Sequence, residues 1–135
     1  MKIIQITAAD TWPIRKQVMW PDRPIDYVKL EQDEKGQHYA LTVGEHVVSI
    51  VSLFYEDNKA QFRKFATLTS EQGKGYGSRL LQYVLAEAAQ QPIDAIWCNA
   101  RLDKSGYYER FGLKKTDRTF TKGGISYVIM DKKLT

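Results

Sequence analysis

The spacing of hydrophobic and polar positions changes several times along the chain, and each change marks an element. Residues 2–6 alternate and are rich in β-branched side chains, which predicts a short strand. Residues 8–20 set Trp12, Arg15, Lys16 and Met19 at helical spacings and run into Pro21 and Pro24, which predicts a helix that stops there. Pro13 fits such a helix in its first turn, so the start is expected nearer Thr11. Residues 27–33 leave strand and irregular structure both open. Residues 37–42, 46–55 and 59–69 read as three successive strands. Val43-Gly44-Glu45 and Glu56-Asp57-Asn58 supply the turns between them. The run from Val47 to Phe54 is apolar on both alternating faces, as expected of an interior strand covered on both sides.

Residues 75–90 carry the clearest helical pattern. Leu80, Leu81, Val84, Leu85 and Ala88 form one stripe, Arg79, Gln82, Glu87 and Gln90 lie off it, and Pro92 ends it. A strand follows at 93–99, a short helix at 103–111 with Gly112 as its stop, and a closing strand pair at 113–120 and 124–132. The turn of that pair holds Lys122, Gly123 and Gly124. Together these elements make an α/β mixture.

Length and charge narrow the picture. A chain of 135 residues fits one domain, 1–135, with no repeat or linker to divide it. The formal charge of +4 is spread over scattered Lys and Arg residues with no basic run, so nucleic-acid binding is not expected. Cys98 is the single cysteine, which excludes an intrachain disulfide and points to a reducing compartment. No stretch approaches the roughly 20 apolar residues of a membrane span, and the N-terminus has no leader-like core. A cytoplasmic protein is expected, with no membrane partner.

The most specific feature is Gln72-Gly73-Lys74-Gly75-Tyr76-Gly77, placed after a strand and at the mouth of a helix. Glycines let the backbone approach a ligand closely and adopt positive φ. The first N–H groups of the following helix lack intrahelical acceptors and carry partial positive charge. This is a pyrophosphate cradle, to which Lys74 and Ser78 add a charge and a hydroxyl donor. It is not a nucleotide P-loop: Leu68 stands where that motif needs its first glycine, and Gly75 stands where it needs Ser or Thr. Nor is it a dinucleotide fingerprint, whose third glycine would fall at Ser78.

Gln-x-x-Gly-x-Gly at Gln72, Gly75 and Gly77 instead resembles the coenzyme A loop of the GNAT acetyltransferase superfamily. Trp97-Cys98-Asn99-Ala100-Arg101, followed by Tyr107-Tyr108-Glu109-Arg110-Phe111-Gly112-Leu113, is similar to the second signature of that family, with Leu113 where relatives usually carry Phe. The resemblance implies a single GNAT-like domain: a central, mostly antiparallel mixed sheet splayed into a V-shaped cleft and flanked by about four helices. It implies acetyl-CoA as donor and direct attack by an amine, from a small molecule or a peptide. The pantetheine arm would run beside Phe65, Ala66 and Thr67, with a backbone N–H near Phe65 or Ala66 facing the oxyanion. Gln72, Gly73, Lys74, Gly75, Tyr76, Gly77 and Ser78 would hold the pyrophosphate. Asn99 would bond the pantetheine or the acceptor, or cap its strand end. Tyr108 would protonate the departing thiolate or only pack in the site, while Tyr107 packs. Relatives often carry Gly-Ile-Pro-His near the last strand; this chain has Gly124-Ile125-Ser126-Tyr127, so that histidine has no counterpart.

The remaining chemistry-bearing residues read more plainly. His38 and His46 lack the further ligands a metal site needs, so no metal is expected. Cys98 has no histidine partner and is expected to be buried. Trp12, Trp20 and Tyr27 line an acceptor pocket, pack in the core or meet a second subunit, which leaves a homodimer open. Arg15 and Arg23 read as solvated surface charge, with recognition of an acceptor carboxylate as the other reading. The alternative to an enzyme is a non-catalytic acyl-CoA-binding module that keeps the loop without the acceptor chemistry.

Overall fold

Residues 1–134 are described by a computed structural model of the chain. Strand β1 (Lys2–Ile6) leads into Thr7, which caps helix α1 (Ala8–Met19). The Thr7 hydroxyl accepts from the Asp10 N–H at 3.2 Å, and the Asp10 carboxylate accepts from the Thr7 N–H at 3.1 Å. This reciprocal cap satisfies two of the orphan donors of a helix start. It fixes the start at Ala8, so Pro13 lies inside the helix and not in its first turn as expected. Proline there removes the bond to the Ala9 carbonyl, which is tolerable because Ala9 faces water.

The segment left open at 27–33 forms neither a strand nor a full helix. It carries 3-10 turns at Ile25–Val28 and Asp33–Lys35. Strands β2 (Gln37–Val43), β3 (His46–Glu56) and β4 (Lys59–Thr67) follow, then helix α2 (Tyr76–Ala89). The chain continues through β5 (Ala95–Arg101), the short α3 (Ser105–Glu109), β6 (Lys114–Lys122) and β7 (Ile125–Lys133). Three α-helices are therefore present among the described residues, against about four expected, with 3-10 turns in place of the fourth. Asp57 and Asn58 both take positive φ (53° and 61°), the geometry of a two-residue hairpin turn between β3 and β4.

Hydrogen bonding orders the strands β1-β2-β3-β4-β5-β7-β6 in an open, mostly antiparallel sheet. β4 and β5 run parallel, with Lys59, Ala60 and Gln61 opposite Ala95, Ile96 and Trp97. A parallel pair needs a crossover, and the segment carrying α2 supplies it.

Two compact units divide the contacts. The first holds residues 1–54 and 62–86. In it every residue from Val48 to Leu53 is buried, as the doubly apolar pattern of β3 requires. Ile14, Ala40, Ile50 and Ala66 form a cluster bordered by Ile6, Val18 and Leu68. Leu80, Leu81, Val84 and Leu85 of α2 are all buried, and each is worth roughly 1.5–3 kcal/mol of burial. The second unit holds residues 55–61 and those from Glu87 onward. Ile96, Cys98, Val128, Met130 and Leu113 form its interior. β5 pairs with β7 along the whole length of β5, from Ala95 opposite Lys133 to Arg101 opposite Tyr127.

Arg15 does not sit in solvent as its charge suggested; its exposure is 0%. It forms a two-pronged pair with Asp33, Nη1 to Oδ2 at 2.8 Å and Nη2 to Oδ1 at 2.9 Å. It also donates to the Val28 carbonyl and to Ser52 Oγ, each at 3.0 Å. Asp33 Oδ2 further accepts from Trp12 Nε1 and the Leu30 N–H. His38 Nε2 lies 2.8 Å from the Asp33 carbonyl, which only accepts, so that nitrogen carries the proton. His38 Nδ1 shares a hydrogen bond with Ser52 Oγ at 2.7 Å.

Burial alone would raise the Asp33 pKa. The Arg15 hydrogen bond, the Leu30 N–H, the Trp12 indole and the Arg15 charge outweigh it and hold the carboxyl below its usual 3.8. A depressed folded pKa gives stability that is fully present above the unfolded value and is lost as pH falls through the folded one. Asp33→Asn strands the buried Arg15 charge, and a loss of about 3–5 kcal/mol is expected in urea unfolding at neutral pH. The gap between wild type and variant should narrow below about pH 4. A gap that stays constant down to pH 2 would show that the Asp33 charge does not carry the stability.

Candidate active site

The glycine turn is built onto the end of β4. Ser49 of β3, fully buried, donates to the Ala66 carbonyl at 3.2 Å and shares a hydrogen bond with Thr67 Oγ1 at 2.9 Å. The Leu68 N–H reaches the Val48 carbonyl at 2.9 Å. A 3-10 turn at Thr69–Glu71 then reverses the chain, and Gln72 Nε2 donates back to the Thr67 carbonyl at 3.0 Å. Gln72 thus folds the loop onto the strand that precedes it.

The three glycines serve two different needs. Gly73 and Gly75 take φ of 81° and 84°, and a Cβ at either would meet nothing within 4 Å. They are required by backbone conformation and they border open space. Gly77 is required by contact: a Cβ there would lie 2.8 Å from Thr67 Oγ1 and 3.1 Å from the Phe65 ring. The start of α2 therefore seats directly on the two β4 side chains that precede the loop. The first intrahelical bond of α2 runs from the Arg79 N–H to the Gly75 carbonyl at 3.1 Å. The N–H groups ahead of it face the loop as anion donors.

Lys74 pairs with Glu71 at 2.8 Å, and hydrogen bonding to Glu71 raises the lysine pKa. The pair is exposed, and pairs of this kind hold a side chain only weakly. Lys74 can turn from Glu71 to a bound phosphate at small cost.

β4 carries a further feature that its sequence did not announce. Lys64 takes φ of 54°, the left-handed region, in the middle of the strand. This conformation costs an L-residue about 1–2 kcal/mol and marks a local break in the pleat. Beyond it, successive side chains alternate between the two faces. Ala66 packs with Ile14 and Ile50 on the α1 side, while Phe65 and Thr67 meet Gly77 at the start of α2. Only the cost of such a residue, and no pattern of types, separates it from a regular strand.

In the second unit, Asn99 is an exposed residue of β5 opposite Ile129. Tyr108 lies on α3, half-buried, with Tyr107 edge-on at 5.3 Å. Tyr107 in turn contacts Phe111 at 5.2 Å and lies under Arg110. Gly112, at φ 91°, closes the helix and turns the chain to the buried Leu113. Burial, with smaller contributions from Cys98 and Tyr107, pushes the Tyr108 phenol well above its usual value of 10.0. It is a proton donor held in its protonated form. Burial pushes the Cys98 thiol up to about 12, so it is not a thiolate at neutral pH. Tyr127 stacks on Phe120 at 5.1 Å.

Residues 19–134 match the profile of the family described as Acetyltransferase (GNAT) domain. The chain is 28% identical to the uncharacterized N-acetyltransferase YitI of Bacillus subtilis, over 99% of this chain and 97% of that protein. A Lactobacillus plantarum crystal structure, provisionally assigned as an N-acetyltransferase, superposes with a TM-score of 0.86 at 22% identity, covering 99% of this chain and 98% of that one. A Bacillus subtilis acetyltransferase in complex with CoA superposes with a TM-score of 0.77 at 18% identity, covering 99% of both chains. No helix among the described residues is long and apolar enough to cross a membrane.

The two kinds of glycine predict different defects. Gly75→Ala meets no neighbour but forces alanine to positive φ, so unfolding should become easier by about 1–2 kcal/mol. Gly77→Ala must displace Thr67 or Phe65, so it should also change the near-ultraviolet circular dichroism of the aromatic residues. A Gly77→Ala variant with the wild-type spectrum and stability would rule out the close seating of α2 on β4.

Proposed function

The chain belongs to the GNAT acetyltransferase family, and from that premise we propose that it moves the acetyl group of acetyl-CoA directly onto an amine. The observation that carries this reading is the turn of Gln72 to Gly77, with two positive-φ glycines bordering open space at the mouth of α2. Backbone N–H groups of that turn, with Lys74 and Ser78, suit a pyrophosphate, and they hold the donor by its phosphates. Phe65, Ala66 and Thr67 offer the extended segment along which the pantetheine arm lies, paired by its amides as an added strand. Asn99 is assigned to the pantetheine or the acceptor.

In the reaction the amine nitrogen forms a bond to the thioester carbonyl carbon, and the bond from that carbon to sulfur breaks. A backbone N–H near Phe65 or Ala66 donates to the oxyanion as it develops. Tyr108 gives its phenolic proton to the leaving sulfur, a role supported by its place in the second signature and by a raised pKa that keeps the proton on. The amine loses its own proton to solvent. Direct attack is supported by Cys98: the single cysteine is buried and protonated, which does not suit an acyl-cysteine route.

Acetyl-CoA should raise the melting temperature, and CoA release should follow on addition of a suitable amine. Tyr108→Phe should lower kcat by roughly 10²-fold with little change in acetyl-CoA affinity. In the wild type, kcat should show no falling limb through about pH 10, because Tyr108 keeps its proton beyond the usual tyrosine range. Cys98→Ala should retain turnover within about threefold; loss of all turnover in a folded Cys98→Ala protein would overturn direct attack. Absence of any melting shift with acetyl-CoA or CoA would remove the donor assignment.

A further inference from the structure

Among the described residues of the first unit, one half-buried cation has no partner. Arg63 sits on β4, immediately before the left-handed Lys64, and it is half-buried. Among the described residues its guanidinium makes no ion pair and no hydrogen bond. Burial and the neighbouring Arg15 charge pull its pKa below the usual arginine range, and Asp33 offsets this only in part. Asp33 is the acidic group that acts on it, and Asp33 is already committed. Its two oxygens accept both Arg15 prongs, the Trp12 indole and the Leu30 N–H.

The charges of this cluster do not cancel. Arg15 and Arg63 are positive and Asp33 is negative. One positive charge remains. Donors are also in excess, since Arg15 Nε is buried without an acceptor. A half-buried guanidinium beside another cation is unfavourable unless an anion completes it. A planar fork of N–H donors is suited to an oxyanion that takes two parallel hydrogen bonds.

Position adds the second argument. Arg63 is two residues before Phe65, across the left-handed Lys64, so their Cα atoms are at most about 7 Å apart. Phe65 begins the segment assigned above to the pantetheine arm. A small amine anchored at Arg63 by an oxyanion a few bonds from its nitrogen can reach the reacting end of that arm.

We propose that Arg63 selects the acceptor: the substrate amine carries an oxyanion, a carboxylate or a phosphate, that pairs with the Arg63 guanidinium. The proposal rests on the acetyl-transfer reading for its chemistry, but its binding arm can be read alone. The test uses a matched set: ethanolamine, which has no oxyanion, serine, which adds a carboxylate, and O-phosphoethanolamine, which adds a phosphate. Melting shifts are measured with each amine by itself, and CoA release is measured with acetyl-CoA present.

The wild type should be shifted by serine or phosphoethanolamine and not by ethanolamine, and the stronger of the two identifies the oxyanion. Arg63→Gln should raise KM for the preferred amine by about 10–100-fold, the loss of a charge-assisted hydrogen bond, while the acetyl-CoA melting shift persists. Arg63→Lys should recover part of the preference as a point charge. Free Arg63→Gln should melt no lower than the wild type, because the residue removed is an uncompensated cation. Equal responses to all three amines in the wild type would overturn the proposal, as would a lower melting temperature of the free variant, which would make Arg63 structural. An oxyanion-dependent shift lost in Arg63→Gln, with no response to acetyl-CoA, would support the anion site and sink the donor reading.

Discussion

The pair of Arg15 and Asp33 is the constraint on which the first unit depends. Taking two charges out of water costs several kcal/mol per ion, so such a pair needs partners for its remaining donors and acceptors, and here all but Arg15 Nε have one. Both Asp33 oxygens are filled, and the two terminal nitrogens of Arg15 reach Asp33, Val28 and Ser52. These partners come from α1, the 3-10 turns and β3, and His38 brings in β2. A shift of any one element breaks a bond that nothing else can replace. That matters because α1 has little apolar surface to hold it: Ile14 is its buried aliphatic residue, while Val18 and Met19 are only partly covered. The polar network fixes α1, and α1 in turn carries Ile14 against Ala66 at the end of β4.

From Ala66 the constraint passes into the glycine turn by short steps. Ser49 ties down Ala66 and Thr67, Thr67 receives the Gln72 amide, and the Phe65 ring and Thr67 hydroxyl leave no room at Gly77. Each link is a hydrogen bond or a van der Waals contact between neighbours on β3, β4 and α2. Beyond the left-handed Lys64 the strand end serves two sides by alternation, with Ala66 in the core and Phe65 and Thr67 against α2. Strain of this kind persists only where the surroundings over-determine it.

What the sequence made legible was whatever depends on local spacing. The stripe of Leu80, Leu81, Val84, Leu85 and Ala88 is buried at every position, because amphipathicity is a property of a single helix. The turn at Asp57 and Asn58, the six buried residues from Val48 to Leu53 and the stop at Gly112 are of the same kind. Arg15 and Asp33 were hidden because their meaning is non-local. Asp33 lies in the polar run Glu31-Gln32-Asp33-Glu34-Lys35, where nothing distinguishes it, and its partner is 18 positions away. The start of α1 was misplaced because proline was weighed above a cap, although Thr7 and Asp10 stood at the spacing that a reciprocal cap requires. Lys64 had no signal at all, since lysine is not a residue that positive φ selects.

The same distinction separates the two halves of the candidate site. A cradle made of backbone N–H groups can be encoded only by residues that permit its conformation, so Gly73 and Gly75 announce it within a few positions. A site for an acceptor is made of side chains, and what counts is which of them the fold leaves without a partner. Arg63 looks like any other strand arginine until Asp33 is seen to be saturated by Arg15. Its availability is therefore a consequence of the buried pair: the interaction that fixes α1 also withholds from Arg63 the one carboxylate that acts on it. If Arg63 selects the acceptor as proposed, stability and acceptor recognition are coupled in this cluster through the Asp33 carboxylate that Arg15 already fills.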